Sequence, residues 1–239
     1  VYDRDNFAPG TKIVGPAVIR EQTATTIVEP GWSAALTPTG HLVLDRVVAL
    51  EREYAIGTEC DPVMLEVFNN LFMSIAEQMG LTLENTAFSV NIKERLDFSC
   101  AIFDPDGMLV ANAPHIPIHL GSMSESIRTV LRENAGKMKP GDVFVVNAPY
   151  NGGTHLPDVT VITPIFDDAG DDILFFVASR GHHADIGGIT PGSMPPDSKV
   201  VEEEGILFDN FMLVDGGEFL EDKLRKHLAD HPYPARNPD

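Results

Sequence analysis

Basic residues are scarce in this chain. It carries 17 Lys and Arg against 36 Asp and Glu, a formal net charge of -19. A surface of that sign repels phosphate, which excludes nucleic acid as a partner and docking on an anionic membrane. Much of the acid falls in short hydrophilic runs, at 167–172 and 202–204, and reads as solubility rather than as a substrate signal. Cysteine is rarer: there are two, Cys60 and Cys100, far apart in the chain. That excludes a disulfide framework and suits a reducing cytoplasm. No apolar run approaches the ~20 residues that span a bilayer, and no signal-peptide pattern opens the chain. A cytoplasmic location is therefore expected.

Several catalytic signatures are also missing. There is no G-x-x-x-x-G-K-[ST] loop and no G-x-G-x-x-G after a strand, so neither common phosphate cradle is present. There is no G-x-S-x-G nucleophile elbow, and neither cysteine has the flanking residues of a catalytic thiol. Covalent catalysis is the weaker reading, and activation of water at a metal is the stronger one.

What is present points the same way. The chain has 239 residues and 43% hydrophobic content, enough for one large or two modest globular domains. Residues 1–48 alternate short branched-residue runs (13–19, 25–28, 33–36 and 42–44) with Gly-Pro, Pro-Gly and Thr-Gly punctuation, the pattern of a small β module. Trp32 is expected to anchor its core. Residues 49–60 read as a linker.

Asp61-Pro62 is a helix start, with Asp as N-cap and Pro at the first helical position. Apolar residues then recur every three or four positions up to Gly80, where the helix is expected to stop. Residues 83–96 are ambiguous. Strands are expected at 97–103 and 108–111 around an Asp-Pro-Asp-Gly turn, with Asp97 as a strand-end cap by spacing alone. His115 and His119 flank Pro117, which opposes a helix there, so both read first as loop or cleft residues and second as ligands. A helix over 122–131 should turn Met123, Ile127, Val130 and Leu131 inward. Val143–Val146 is a buried strand type. A Gly- and Pro-rich stretch at 187–199 suits a lid or substrate loop. Two short strands and a helix over 220–228 should follow. The fold class expected is α+β (mixed α/β): a small β module followed by an α/β unit with a mixed sheet.

The chain is organised around 147–188. Two strand-like runs, 159–166 and 173–178, each adjoin a turn rich in metal-ligand residue types. One turn holds His155 and Asp158; the other holds His182, His183 and Asp185. Imidazole and carboxylate suit Zn, Mn or Fe(II), and neighbouring strand ends lie only about 5 Å apart, close enough to share one ion. A lone histidine would be an ordinary polar loop residue. H-x-x-D together with H-H-x-D on facing strand ends favours a metal or catalytic site.

Several long segments carry a family resemblance. DPVMLEVFNNLFMSIAEQMG, NTAFSVNIKERLDFSCAIFDPDG, HIPIHLGSM, NAPYNGGTHLPDVTVITP, ASRGHHADIGGITPGSMPPDS, EEEGILFDNF and YPARNPD resemble the start of the hydantoinase B/oxoprolinase family. The preceding GPAVIREQTATTIVEPGWSA resembles the end of the hydantoinase A part. Residues 1–48 are thus expected to be the last β module of a hydantoinase A-like part, and 61–239 the first portion of a hydantoinase B-like domain. Running one into the other resembles the fused, ATP-dependent 5-oxoprolinases. The chain begins at Val1 and ends at YPARNPD with no element to tie the end down, so it is expected to be a piece of a longer protein.

The resemblance implies hydrolysis of the lactam of 5-oxoproline to glutamate in glutathione metabolism, with ATP and Mg used in the part outside this chain. It implies a divalent metal, Zn or Mn, held by His155 and Asp158 of the H-x-x-D motif and by His182 of the Arg-x-His segment. Asp97, in the E-R-x-D-F segment, is the fourth candidate. His183 and Asp185 are second choices, since neighbours on a strand face opposite ways. Arg180 and Asn147 are candidates to orient substrate or ligands. The expected catalytic set is Asp158, His182, His183, Asp185 and Arg180. Expected partners are a small cyclic amide, the rest of a hydantoinase A/B assembly and further copies of the chain in a homo-oligomer. Hydantoin hydrolysis, acetone-type carboxylation or a non-catalytic docking module are the alternatives. The chain alone is expected neither to cleave ATP nor to open 5-oxoproline. ADP release that depends on 5-oxoproline, measured on the purified chain, would overturn that.

Overall fold

The computed structural model describes residues 1–48 and 61–236; the linker expected at 49–60 lies outside the described residues. The chain divides into two compact units, Val1–Glu59 and Cys60–Asp239. No helix among the described residues is long and apolar enough to cross a membrane.

The first unit holds β1 (Tyr2–Asp3), β2 (Lys12–Val14), β3 (Ala17–Arg20), β4 (Thr25–Val28), β5 (Trp32–Leu36) and β6 (Leu42–Arg46). They form two three-stranded sheets, β1-β3-β4 and β2-β5-β6. The single strand expected at 13–19 is two strands in different sheets. Pro16 between them has no N–H for a ladder, so pairing stops there and resumes in the other sheet. Ile13, Ile19, Val28 and Ala34 form the core, and Trp32 packs against it as expected.

The second unit holds α1 (Pro62–Thr86), α2 (Val90–Lys93), β7 (Phe98–Phe103), β8 (Leu109–Asn112), α3 (Pro117–Glu133), β9 (Val143–Val146), β10 (Asp158–Phe166), β11 (Ile173–His182), α4 (Val201–Glu204), β12 (Phe211–Asp215), β13 (Glu218–Phe219) and α5 (Glu221–Ala229). One seven-stranded sheet runs β13-β12-β9-β10-β11-β7-β8. Every pairing in it is antiparallel. The class is α+β, as expected. The mixing of strand directions expected in this unit occurs in the first one, where β1 pairs with β3 in parallel. Tight hairpins explain the difference, because a short turn can join only antiparallel neighbours. Between β10 and β11, for instance, Asp167 Oδ1 accepts the N–H groups of Asp171 and Asp172 at 2.9 and 3.2 Å.

Packing uses both sheet faces. On one, α3 sets Met123, Ile127 and Val130 against Ala101, Phe103, Phe144, Ile162 and Phe176. On the other, Val145, Leu156, Ile186, Ile206, Phe208 and Leu228 form a second cluster. Along β10, Asp158, Thr160, Ile162 and Pro164 are buried and the residues between them are less so, the two-residue period of a strand.

Two helix boundaries differ from the sequence pattern. α1 starts as expected, with Asp61 Oδ1 accepting from the Val63 N–H at 2.8 Å. It does not stop at Gly80 but continues to Thr86. A Cβ on Gly80 would lie 2.9 Å from the His115 ring and 3.2 Å from Phe98, so this glycine serves close packing rather than a turn. α3 begins at Pro117, earlier than expected, because Pro fits the first helical position, where its missing N–H costs nothing.

Asn147, at the end of β9, ties the segment before β10 into the core. Its buried amide donates to the Leu156 and Ile206 carbonyls at 2.8 and 2.9 Å and accepts from the Phe208 N–H at 2.6 Å. Asn147→Ala would leave these backbone groups unpaired and is expected to lower unfolding free energy by about 3 kcal/mol. Urea denaturation measures this; a loss below about 1 kcal/mol would remove Asn147 from this role.

Candidate metal centre

Strand register builds the site. In the antiparallel pairing of β10 with β11, Asp158 lies opposite His182. The His182 N–H donates to the Asp97 carbonyl at 3.0 Å, which brings the residue before β7 to the same sheet end. His155 lies in the turn leading into β10, closed by the Asp158 N–H donating to the His155 carbonyl at 3.0 Å. Leu156, 1% exposed, anchors that turn in the core.

The side chains converge. Asp158 Oδ2 is 2.9 Å from His155 Nδ1, and Asp158 Oδ1 is 3.2 Å from His182 Nδ1. One ligand atom from each of His155, Asp158 and His182 lies within 4.8 Å of the others. Asp97 Oδ2 lies 3.8 Å from His182 Nδ1. The Thr154 hydroxyl donates to Asp158 Oδ2. Asp97, Ile116, Ile118, His119, Thr154, His155, Asp158 and His182 line a cavity of about 540 Å³. A second cavity of about 590 Å³ shares Thr154 and His155 with it and is bounded by Tyr150, Ser198 and Lys199. Lys199 closes the 187–199 stretch, so the expected substrate loop ends beside the site.

The donor set fits a divalent cation. His155 Nδ1 is a buried nitrogen that lies 2.9 Å from Asp158 Oδ2 and is paired with it by charge. A buried imidazole nitrogen beside a carboxylate and a second imidazole is a donor set that could hold a divalent metal ion. Burial alone would raise the Asp158 carboxyl. Contacts from His119, His155, His182 and Thr154 outweigh that and hold it well below the usual carboxylate range. The Asp158 carboxylate in turn raises His155, against the effect of burial.

The other candidates lie elsewhere. His183 does not line the cavity: its Nδ1 accepts from the Asp185 N–H at 3.1 Å, and burial lowers its pKa. Asp185 accepts from the Gly187 and Gly192 N–H groups and pairs with Arg236 at 2.8 Å, so it holds the following loop. Arg180 is fully buried and points into the fold, where it donates to Thr160 Oγ1 and Ser126 Oγ, to the Gly152 carbonyl and to Ser122 Oγ. It is not at the cavity and has no donor directed there, and neither has Asn147. His115 Nδ1 accepts from the Cys100 N–H at 2.9 Å, away from the centre. His119 does join it. The sequence carries the signal: a Pro two positions before a histidine can start a helix as readily as oppose one, and places that histidine in the first turn.

A family profile described as Hydantoinase B/oxoprolinase matches residues 61–239. The chain is 50% identical over 228 residues to 5-oxoprolinase 1 of Arabidopsis thaliana, covering 95% of this chain and 18% of that protein. Among solved structures it resembles the ATP-dependent caprolactamase from Pseudomonas jessenii, with TM-score 0.64 and 30% identity over 73% of this chain and 30% of that one. Acetone carboxylase in its nucleotide-free form also has TM-score 0.64, at 19% identity over 70% of this chain and 22% of that one, a likeness of fold alone.

One solution property follows from the site. In metal-free protein His155 should titrate above the ordinary histidine range. The stability from its pairing with Asp158 is complete below the ordinary value of about 6.5 and disappears as pH rises through the raised one. Histidine NMR titration checks this, and Asp158→Asn should bring His155 back down. A lowered His155 would contradict the pairing.

Proposed function

The chain belongs to the hydantoinase B/oxoprolinase family, and we propose that it carries the water-activating metal centre of an ATP-dependent cyclic-amide hydrolase acting on 5-oxoproline. The observation that carries this reading is the convergence of His155, Asp158 and His182, whose ligand atoms lie within 4.8 Å of one another. The chain spans 18% of the length of the Arabidopsis relative, so the ATP-using part is assigned to the remainder of such a protein.

The proposed ligands are His155, Asp158 and His182, with Asp97 as the fourth. A divalent cation held there, zinc or manganese by donor type, supplies Lewis acidity that makes water nucleophilic near neutral pH. The chain's own residues do the rest. Asp158, buried and kept ionised, provides the negative charge that draws a cation to the sheet end. Ile116 and Ile118 give the cavity an apolar wall suited to the methylenes of a small ring. Among the residues considered catalytic, Asp158 and His182 face this cavity. Arg180 supports it from behind, by bracing the Gly152 carbonyl and α3. An amide is a poor electrophile, so phosphorylation of the lactam oxygen elsewhere in the assembly would prepare the carbon for attack here.

Lactam hydrolysis is preferred to ketone carboxylation because the sequence likeness is greater to the lactam-acting neighbour. α1 exposes Val63, Leu65, Val67, Phe68 and Leu71. A patch of this kind suits burial against the other parts of a hydantoinase A/B assembly, with a homo-oligomer expected. The test is metal analysis of purified protein with and without His155→Ala. About one Zn or Mn per chain is expected in the wild type and none in the variant. In an intact oxoprolinase carrying this segment, the same substitution should cost more activity on 5-oxoproline than the roughly 10–100-fold typical of outer-shell changes. Metal-free wild type with full activity would sink the reading.

A further inference from the structure

The two acids at the centre each have two oxygens, and His182 and His119 approach different oxygens of both, with His155 also 2.9 Å from Asp158 Oδ2. Asp97 Oδ2 and Asp158 Oδ1 lie 3.8 and 3.2 Å from His182 Nδ1. Asp97 Oδ1 and Asp158 Oδ2 lie 3.8 and 3.4 Å from His119 Nε2. His119 therefore touches the same pair of carboxylates through their other oxygens. It is not one of the three groups whose ligand atoms converge within 4.8 Å.

His119 is held in place from its far side. Its side chain is 3% exposed. Its Nδ1 is 3.2 Å from Ser99 Oγ in β7, and that hydroxyl accepts the Ile116 N–H at 3.2 Å, just before α3. Its carbonyl accepts from Arg180 at 3.4 Å. The Ser99 hydroxyl has two acceptors for its proton, His119 Nδ1 and the Ile116 carbonyl at 3.4 Å. The ring proton is placed on Nε2 because that nitrogen faces two carboxylate oxygens, which can only accept. The trio Ser99, His119 and Asp158 has the composition of a nucleophilic triad. Ser99 is fully buried in a strand, however, and no substrate carbon can reach it.

We propose that His119 is a positioning residue. Its Nε2–H faces Asp158 Oδ2 at 3.4 Å, with Asp97 Oδ1 at 3.8 Å, and so fixes the orientation at which the two carboxylates meet the ion. A buried, doubly anchored donor suits that task, since a ligating carboxylate left to rotate loses affinity for the ion it binds. The inference rests on the metal reading above, and the experiment separates the two.

Zinc affinity of the chain is measured by chelator competition for wild type, His119→Leu and His119→Gln, together with melting of the metal-free proteins. His119→Leu should weaken zinc about 10–100-fold while keeping one zinc per chain, and His119→Gln, which retains an N–H donor, should recover most of the loss. Unchanged affinity in His119→Leu overturns the proposal. Loss of stoichiometric zinc in both variants, with His119→Gln still folded, also overturns it by making His119 a ligand. A second measurement needs no metal: long-range ¹H–¹⁵N correlation should find His119 as the Nε2–H tautomer, with its Nε2 resonance moved by Asp158→Asn. A wild type that binds no zinc but passes this second measurement removes the metal reading and leaves the His119 contact; an Nδ1–H tautomer, or a resonance unmoved by Asp158→Asn, overturns the contact itself.

Discussion

Antiparallel pairing of β10 with β11 in one register is the constraint on which the rest depends. It sets Asp158 opposite His182 and puts Thr160 opposite Arg180. Because side chains alternate faces with a period of two, a slip of one residue would turn Asp158 outward and Val159 inward. The apolar residues on both faces guard against this slip: Ile162 packs under α3, while Val159 and Val161 pack on the opposite cluster. The same hydrophobic pattern that stabilises the sheet thus fixes the geometry of the site.

A buried carboxylate is costly unless it is paired. Here Asp158 is 2% exposed and sits among His119, His155, His182 and Thr154. A cluster of this kind places negative charge beside imidazole nitrogens, a donor set that could hold a divalent ion. Arg180 has a different part. Its buried guanidinium joins β10, the start of α3 and the Gly152 turn. It stiffens the frame on which His119 and the 152–158 turn are mounted, and leaves no donor for a ligand.

Fold-level features with local causes could be read directly. The Asp61-Pro62 start of α1, the inward face of α3, the Asp-Pro-Asp-Gly turn and the paired strands around 167–172 follow from caps, periodicity and turn chemistry. Features that depend on a distant partner could not. Gly80 has the residue type of a helix stop, yet its lack of a side chain answers to His115 and Phe98. Pro117 has the residue type of a helix breaker, yet Ser99 in β7 receives the N–H that precedes it. The division of 13–19 between two sheets likewise depends on which strands were available to pair.

At the site, the amino-acid order alone determined that His155 and Asp158 share a turn, that His182 and His183 cannot both face one way, and that two strands would carry these groups. These follow from spacing and the alternation of a strand. Only the tertiary structure decided that His182 is the inward member, that Asp97 arrives from the turn just before β7 and that His119 joins the cluster. It also turned Arg180 and Asn147 from candidate substrate contacts into buried braces. The reason is that convergence of groups 22 to 85 positions apart is set by strand register and helix placement, and these come from burial summed over the whole core, which no local stretch of residues encodes.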